Sequence, residues 1–515
     1  MKKLLNNILL GKYSPIIFAL ISAIAVLLNY SYRFGYVYID VAVFMYFSFS
    51  LFLIAVVSTI FLVMASVFKL KDADVCNKKA FIAVQCIFEI FTIIFSIIVA
   101  VNFIVGGNES FEVAIGLCKE ALPVWLGVVC IAAALFIVPN INNNKVKKIL
   151  SAVMVLIIVF VAYSFLFPIS AFKFTSSPVV FDNGTEYAVV FSTNDKATAY
   201  IEYDYNGEHI KKYDADNGRK AGNSTIHTIK VAYEQLSGNT YKVGAKRVID
   251  ELSYGGRMGK TIESENITFH DDFEENVNVL TVSDWHTHNA LAEKAVSYLG
   301  DYNAVILLGD AAPGMMFEYE VADYILSFAS DLSKGTMPVI FARGNHETRG
   351  REAANLSSYL GVDSFYYKTS LGNYDFIVLD SGEDKEDSHP EYGDMVVYEQ
   401  NRKDMINWLT DMKNDDNRKT ITLSHADAIC IEDDLSKIAH NKLDELGTSL
   451  LVSGHEHITE FKDVSPYPIL IDGGINANGK NTYVASMLKI SSDYISVISV
   501  DSDGETILNE MVAWR

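Results

Sequence analysis

Cysteine is scarce in this sequence. Only Cys76, Cys86, Cys118, Cys130 and Cys430 occur among 515 residues. No spacing among them matches a disulfide framework or a thiolate zinc cluster, so neither organises the fold. Basic charge is scarce too: Lys+Arg number 42 against 63 Asp+Glu, for a net charge of −21. The deficit is uneven. Up to Phe172 there are 12 Lys+Arg against 7 Asp+Glu, a net of +5, which leaves −26 for the remainder. Such a remainder repels polyanions, which argues against a nucleic-acid partner. Polar groups are also sparse within the apolar spans of the first third of the chain. Glu89 is the one ionisable residue inside an apolar span, too little for a transport path. It either faces the bundle interior, protonated or hydrogen-bonded, or has an active role.

What is there first is a run of apolar stretches, at residues 13–30, 41–68, 80–105, 122–139 and 149–169. Each is about as long as the 20 residues that a bilayer core requires. A cleaved signal peptide accounts for one such stretch, not for five. Lysines concentrate at Lys2, Lys3 and Lys12, at Lys69, Lys71, Lys78 and Lys79, and at Lys145, Lys147 and Lys148. The alternate loops carry few cations, and the second holds Glu109 and Glu112. Cation bias places the N-terminus in the cytoplasm, and five crossings place everything after Ile169 outside. Residues 1–172 are therefore expected to form a multi-pass helical membrane bundle, serving chiefly as an anchor.

Residues 173–271 read differently. Short alternating segments, such as Ala197–Tyr203 and His227–Val231, are separated by polar turns, which predicts an all-β sandwich. His209 and His227 are taken as surface or packing residues.

The remainder, 272–515, is organised around five strand ends. Apolar runs terminate in Asp284-Trp285-His286, in Gly309-Asp310, in Arg343-Gly344-Asn345-His346-Glu347, in His425, and in Gly454-His455-Glu456-His457. Runs of this kind suit strands buried on both faces, and open α/β sheets build their sites at strand carboxyl ends. Asp284, His286, Asp310, Asn345, His425, His455 and His457 offer carboxylate, amide and imidazole donors. That set suits borderline divalent metals such as Mn, Fe or Zn rather than a thiolate site. Seven donors exceed one ion and suit two ions, about 3.5–4 Å apart, sharing a carboxylate.

Taken in this order, these motifs resemble the calcineurin-like metallophosphoesterase superfamily, over roughly residue 277 to the C-terminus. The resemblance implies an α/β domain of two β-sheets flanked by helices in four layers. It implies a first metal on Asp284, His286, Asp310 and His457, and a second on Asp310, Asn345, His425 and His455. It further implies that His346 contacts the phosphate or protonates the leaving group, with Glu347 orienting it. The segment with Leu236, Thr240 and Tyr241 resembles the corner of fibronectin type III-like modules, although Gly238 stands where proline is usual. A module of that kind before such a domain resembles the purple acid phosphatases. Two departures separate the chain from those enzymes: Pro313 occupies their iron-ligating tyrosine position, and His286 is a ligand they lack. No tyrosinate–iron colour is expected.

Other residues keep two readings. Arg343 either reaches a phosphate oxygen or pairs with a neighbouring carboxylate. Trp285 packs, or stacks on a base or sugar. His288 is a turn residue or lines the pocket. Asp380 to Gly382 ends a further strand and lies at the rim, while His270, His389 and His440 are read as surface. The chain is thus expected to be a membrane-anchored phosphoesterase with two divalent ions. It would act on a phosphorylated small molecule or lipid head group at the extracytoplasmic face, and no protein partner is implied. The alternatives are an inactive membrane sensor or binding protein, or a hydrolase of lipid-linked phosphate or pyrophosphate.

Overall fold

The computed structural model describes residues 172–515, except 253–254, 274 and 416–417, together with a few single positions between 145 and 156. The expected membrane bundle, with its five apolar stretches and Glu89, lies outside the described residues, those single positions apart. Among the described residues, no helix is long and apolar enough to cross a membrane. Phe172–Val248 and Gly259–Arg515 form one compact unit.

The unit is built on two facing sheets. In the larger, three strands run parallel: Val277–Val282, Ala304–Leu307 and Pro338–Phe341. Antiparallel strands Tyr483–Ile490, Tyr494–Asp501 and Thr506–Ala513 extend it on one side. The second sheet is centred on the parallel strands Tyr374–Leu379, Lys419–Ser424, Thr448–Ser453 and Ile469–Ile471. Between the sheets lies an apolar layer to which Val279, Ile306 and Ile340 contribute from the first and Phe376, Val378, Leu423 and Val452 from the second. The outer face of the larger sheet is covered by helix Asn289–Val296 and by a helical run from Glu318 to Ser333. That run widens into a π-turn at Ala322–Leu326. Tyr398–Asp411 and Asp433–Glu445 cover the outer face of the second sheet. This is the four-layer sandwich that the resemblance implies.

The segment before residue 272 does not stop at a domain seam. Strand Phe174–Asp182 pairs in parallel with Pro338–Phe341, with Val180 opposite Pro338. Strands Tyr187–Thr193 and Ile226–Val231 then continue the same large sheet outward. Alternation divides their side chains between two cores. Val179 and Phe181 enter the helix-covered core, whereas Val180, Val189 and Phe191 enter a core shared with strands Ala197–Tyr205 and Thr240–Leu252. A β-sandwich therefore exists here, but one of its walls belongs to the large sheet. Tyr241, fully buried, donates its hydroxyl to the Gly335 carbonyl at 2.8 Å and ties the second wall to the turn before Pro338.

His227 is a packing residue. It is fully buried, with Nε2 2.9 Å from the Thr193 hydroxyl. Burial pushes its imidazole down to about 3. The unfolded chain takes up a proton near pH 6.5 that the folded chain refuses, so stability falls as pH drops from about 6.5 toward 3. Relative to His227→Asn, the full chain should lose roughly 2 kcal/mol more between pH 7 and pH 5. Urea midpoints at the two pH values check this, and equal losses would contradict it.

Candidate metal centre

All five strand-end motifs meet at one edge of the facing sheets. Asp284 follows strand Val277–Val282, Asp310 follows Ala304–Leu307, and Asn345 follows Pro338–Phe341. From the second sheet, His425 follows Lys419–Ser424 and His455 follows Thr448–Ser453. Three clusters of donor atoms result: Asp284, His286 and His457; His286, Asp310 and His346; and Asp310, His425 and His455.

Tight turns bring them together. Asp284, His286, Asp310, His455 and His457 all have positive φ, between 38° and 71°. Non-glycine residues hold that conformation at a cost of order 1–3 kcal/mol each and keep it only where the surroundings impose it. Here backbone bonds impose it: the Asp284 amide donates to the Gly309 carbonyl at 3.0 Å, and the His286 amide to that of Asp310 at 3.1 Å. Glycines leave room. A Cβ on Gly309 would collide with the Gly344 backbone, and one on Gly454 would collide with Ser283 and Asp284.

Glu347 locks this arrangement from beneath. Its carboxylate, fully buried, accepts from the amides of Gly344 and Asp310 at 2.8 Å and from that of Ala311 at 2.7 Å. Sequence assigned Glu347 to orienting His346; instead the structure places it on the turns that carry Asp310 and Asn345. Burial, reinforced by Asp310, pushes its carboxyl up to about 7.

The donor set fits a pair of cations. Asp284 Oδ2 is used internally, accepting from the Ser283 hydroxyl and from the His455 amide at 2.9 Å. Asp284 Oδ1 is buried without a hydrogen-bond partner and faces Nε2 of His457 at 3.7 Å and of His286 at 4.0 Å. Asp310 is divided in the same way. Its Oδ1 accepts the His346 amide at 2.9 Å, while Oδ2 faces Nε2 of His425 at 3.3 Å and of His286 at 3.7 Å. That oxygen thus stands between the two clusters. The Asn345 amide oxygen faces His425 Nε2 and Asp310 Oδ2 at 3.2 Å and His455 Nδ1 at 3.3 Å. Acceptor facing acceptor is reconciled by a cation among them; without one, turning the amide over would satisfy both its ends.

Supporting bonds select the ring nitrogens. His425 Nδ1 lies 2.6 Å from the Leu308 carbonyl and His457 Nδ1 lies 2.8 Å from that of Ile475. A proton on each Nδ1 leaves Nε2 free as a ligand, the usual outer support of metal-binding histidines. Burial disfavours charge on His425, but Asp310 outweighs it and lifts the ring to about 10.

The remaining expectations divide. Arg343 takes the carboxylate option: Nη2 and Nε bind Asp380 at 2.5 and 3.1 Å, Asn401 donates to the same carboxylate, and Phe365 lies against the guanidinium. Trp285 packs on Phe328, with its indole N–H on the Tyr324 carbonyl. His288 returns to the His286 carbonyl at 2.7 Å. His440, read as surface, pairs with the Tyr467 hydroxyl at 2.6 Å. Sequence missed Arg349 and Glu383. The guanidinium lies 3.1 Å from His346 Nε2 and pairs with Glu383 at 2.7 and 2.9 Å. Arg349 lies only three residues past His346, and that proximity was the available signal.

Two outcomes follow from this geometry. Because His425 is protonated at pH 7 in the metal-free site, metal uptake should release about one proton, and affinity should rise with pH. Calorimetry of Mn or Zn uptake in buffers of different ionisation enthalpy reads this, and buffer-independent heats would contradict it. Glu347→Gln replaces one acceptor oxygen beneath Asp310 by a donor, setting N–H against N–H. It should weaken metal retention by roughly 10–100-fold, the usual cost of removing an outer support, as read by metal analysis after dialysis.

Comparison with solved structures places similar folds at low identity. A purple acid phosphatase from yellow lupin (Lupinus luteus) seeds is 13% identical, with 65% of this chain and 74% of that chain covered and a TM-score of 0.43. The corresponding values for the anchor protein in the inner membrane complex of Plasmodium are 14%, 47%, 90% and 0.36. For the phosphopantetheinyl hydrolase of Mycobacterium tuberculosis they are 15%, 39%, 89% and 0.27. No curated protein matches the chain. Residues 277–459 match the calcineurin-like phosphoesterase family, and with the clustered Asp, Asn and His donors above, the chain carries a calcineurin-like metallophosphoesterase domain.

Proposed function

We propose that the chain is a membrane-tethered, metal-dependent hydrolase of phosphate esters acting at the extracytoplasmic face. The observation that carries the hydrolase part is the Asp310 carboxylate standing between two histidine clusters, beside a buried Asp284 oxygen left without a partner. The apolar stretches before residue 170 and the lysine bias of their loops support the tether and its orientation.

Asp284, His286, Asp310 and His457 would hold one ion, and Asp310, Asn345, His425 and His455 the other; Mn, Fe and Zn all suit these donors. When bound, such a pair neutralises phosphoryl charge and activates a water. In the hydrolysis the water oxygen forms a bond to phosphorus and the ester P–O bond breaks. The water's proton leaves to solvent or base, and the departing alkoxide gains one. His346, with Nε2 3.7 Å from Asp310 Oδ2 and a partly exposed ring, is placed to give that second proton. Its own amide is fixed on Asp310 Oδ1, so its position is set by the group that the two clusters share.

Metal analysis combined with p-nitrophenyl phosphate hydrolysis tests this on the full chain in detergent. His346→Ala should lower turnover by roughly 10²–10⁴ with metal content retained. Asp310→Asn should remove both. Equal loss of metal in the two variants would assign His346 a structural role. A metal-loaded wild type inert toward every phosphate ester tried would end the hydrolase proposal.

A further inference from the structure

We infer that Arg349, held by Glu383, is the phosphate-oxygen donor of this site and directs it toward terminal phosphoryl groups rather than phosphodiesters; this rests on the hydrolase reading above. The orientation of the guanidinium is set on one edge. Nε and Nη2 donate to the two Glu383 oxygens at 2.7 and 2.9 Å, the parallel fork that fixes arginine most firmly. Glu383 is itself 1% exposed and takes a further bond from the Thr348 hydroxyl at 2.9 Å. Burial raises its carboxyl, but the bonds and charge of Arg349 and the bonds from Thr348 and Asn345 outweigh it and hold the group below its ordinary range.

The opposite edge is what remains for a ligand. Nη1 lies 3.1 and 3.3 Å from the two ring nitrogens of His346, and Nη2 lies 2.9 Å from the Asn345 amide nitrogen. Arg349 therefore touches the residue that would protonate the leaving group and a residue that would hold a metal. It is also one-third exposed, so a substrate can reach it. An imidazole is a weak acceptor for a guanidinium; a phosphoryl oxygen is a far better one. Arg343, the other candidate, is committed to Asp380 and is only 10% exposed.

Counting oxygens gives the substrate class. A terminal phosphoryl group has three non-bridging oxygens and a diester has two. A pair of cations, held by the Asp, Asn and His donors, would neutralise two. The third, present only in the terminal group, falls to Arg349.

The test uses the metal-loaded full chain in detergent. It compares wild type, Arg349→Ala, Arg349→Lys and Glu383→Gln on p-nitrophenyl phosphate and bis(p-nitrophenyl) phosphate. Calorimetric titration with inorganic phosphate and metal analysis run alongside. Wild type should prefer the monoester. Arg349→Ala should lower monoester kcat/KM roughly 100-fold, the effect of removing one charge-directed donor. It should also weaken phosphate binding at least about tenfold, with metal retained and diester kcat/KM lowered far less than monoester kcat/KM. Arg349→Lys should recover part of the monoester rate, and Glu383→Gln should fall between. Parallel loss on both substrates, unchanged phosphate affinity, loss of metal in Arg349→Ala, or a wild type that prefers diesters would each overturn the inference. A wild type that hydrolyses neither substrate yet binds phosphate through Arg349 would refute the hydrolase reading and leave the phosphate site standing.

Discussion

The structure depends on one shared carboxylate. Asp310 Oδ2 faces His286 from one cluster and His425 from the other, while Oδ1 holds the His346 backbone. Like-charged or acceptor atoms packed this closely repel one another in a medium of low dielectric. The fold tolerates them because the turns that bear them are cross-braced, and because divalent cations would replace the repulsion with attraction. Without cations, a protonated His425 supplies positive charge beside Asp310.

The brace is Glu347. Three amides from two different strand ends converge on one buried carboxylate, so Asp310 and Asn345 cannot shift independently. The left-handed backbone at five of the ligands expresses the same constraint locally. Strain of this size is affordable only in a rigid frame, and the apolar layer between the facing sheets supplies it. The leaving-group side is built differently. Arg349 leans on Glu383, while His346 is held through its amide on Asp310; both side chains are partly exposed, which leaves them accessible to a ligand.

Much of the centre was legible in the sequence because each ligand ends a buried strand, and strand ends in open α/β sheets converge by topology. Short runs such as Val305 to Leu308 before Gly309-Asp310 announce that geometry locally. Glu347 was legible as a member of the site but not in its role, since two of the three amides it binds, those of Asp310 and Ala311, come from a loop 37 and 36 residues away. Arg349 and Glu383 were missed for a similar reason: their pairing spans 34 residues and joins two loops without strong pattern. The strand Phe174–Asp182 read as part of a separate sandwich because its own alternation is satisfied there. Its parallel pairing with Pro338–Phe341 is a long-range register that no local pattern encodes.

The most direct test of the shared carboxylate is crystallographic. Anomalous difference maps of the metal-loaded protein should show two peaks about 3.5–4 Å apart with Asp310 between them. A single peak, or two that do not share Asp310, would contradict the account.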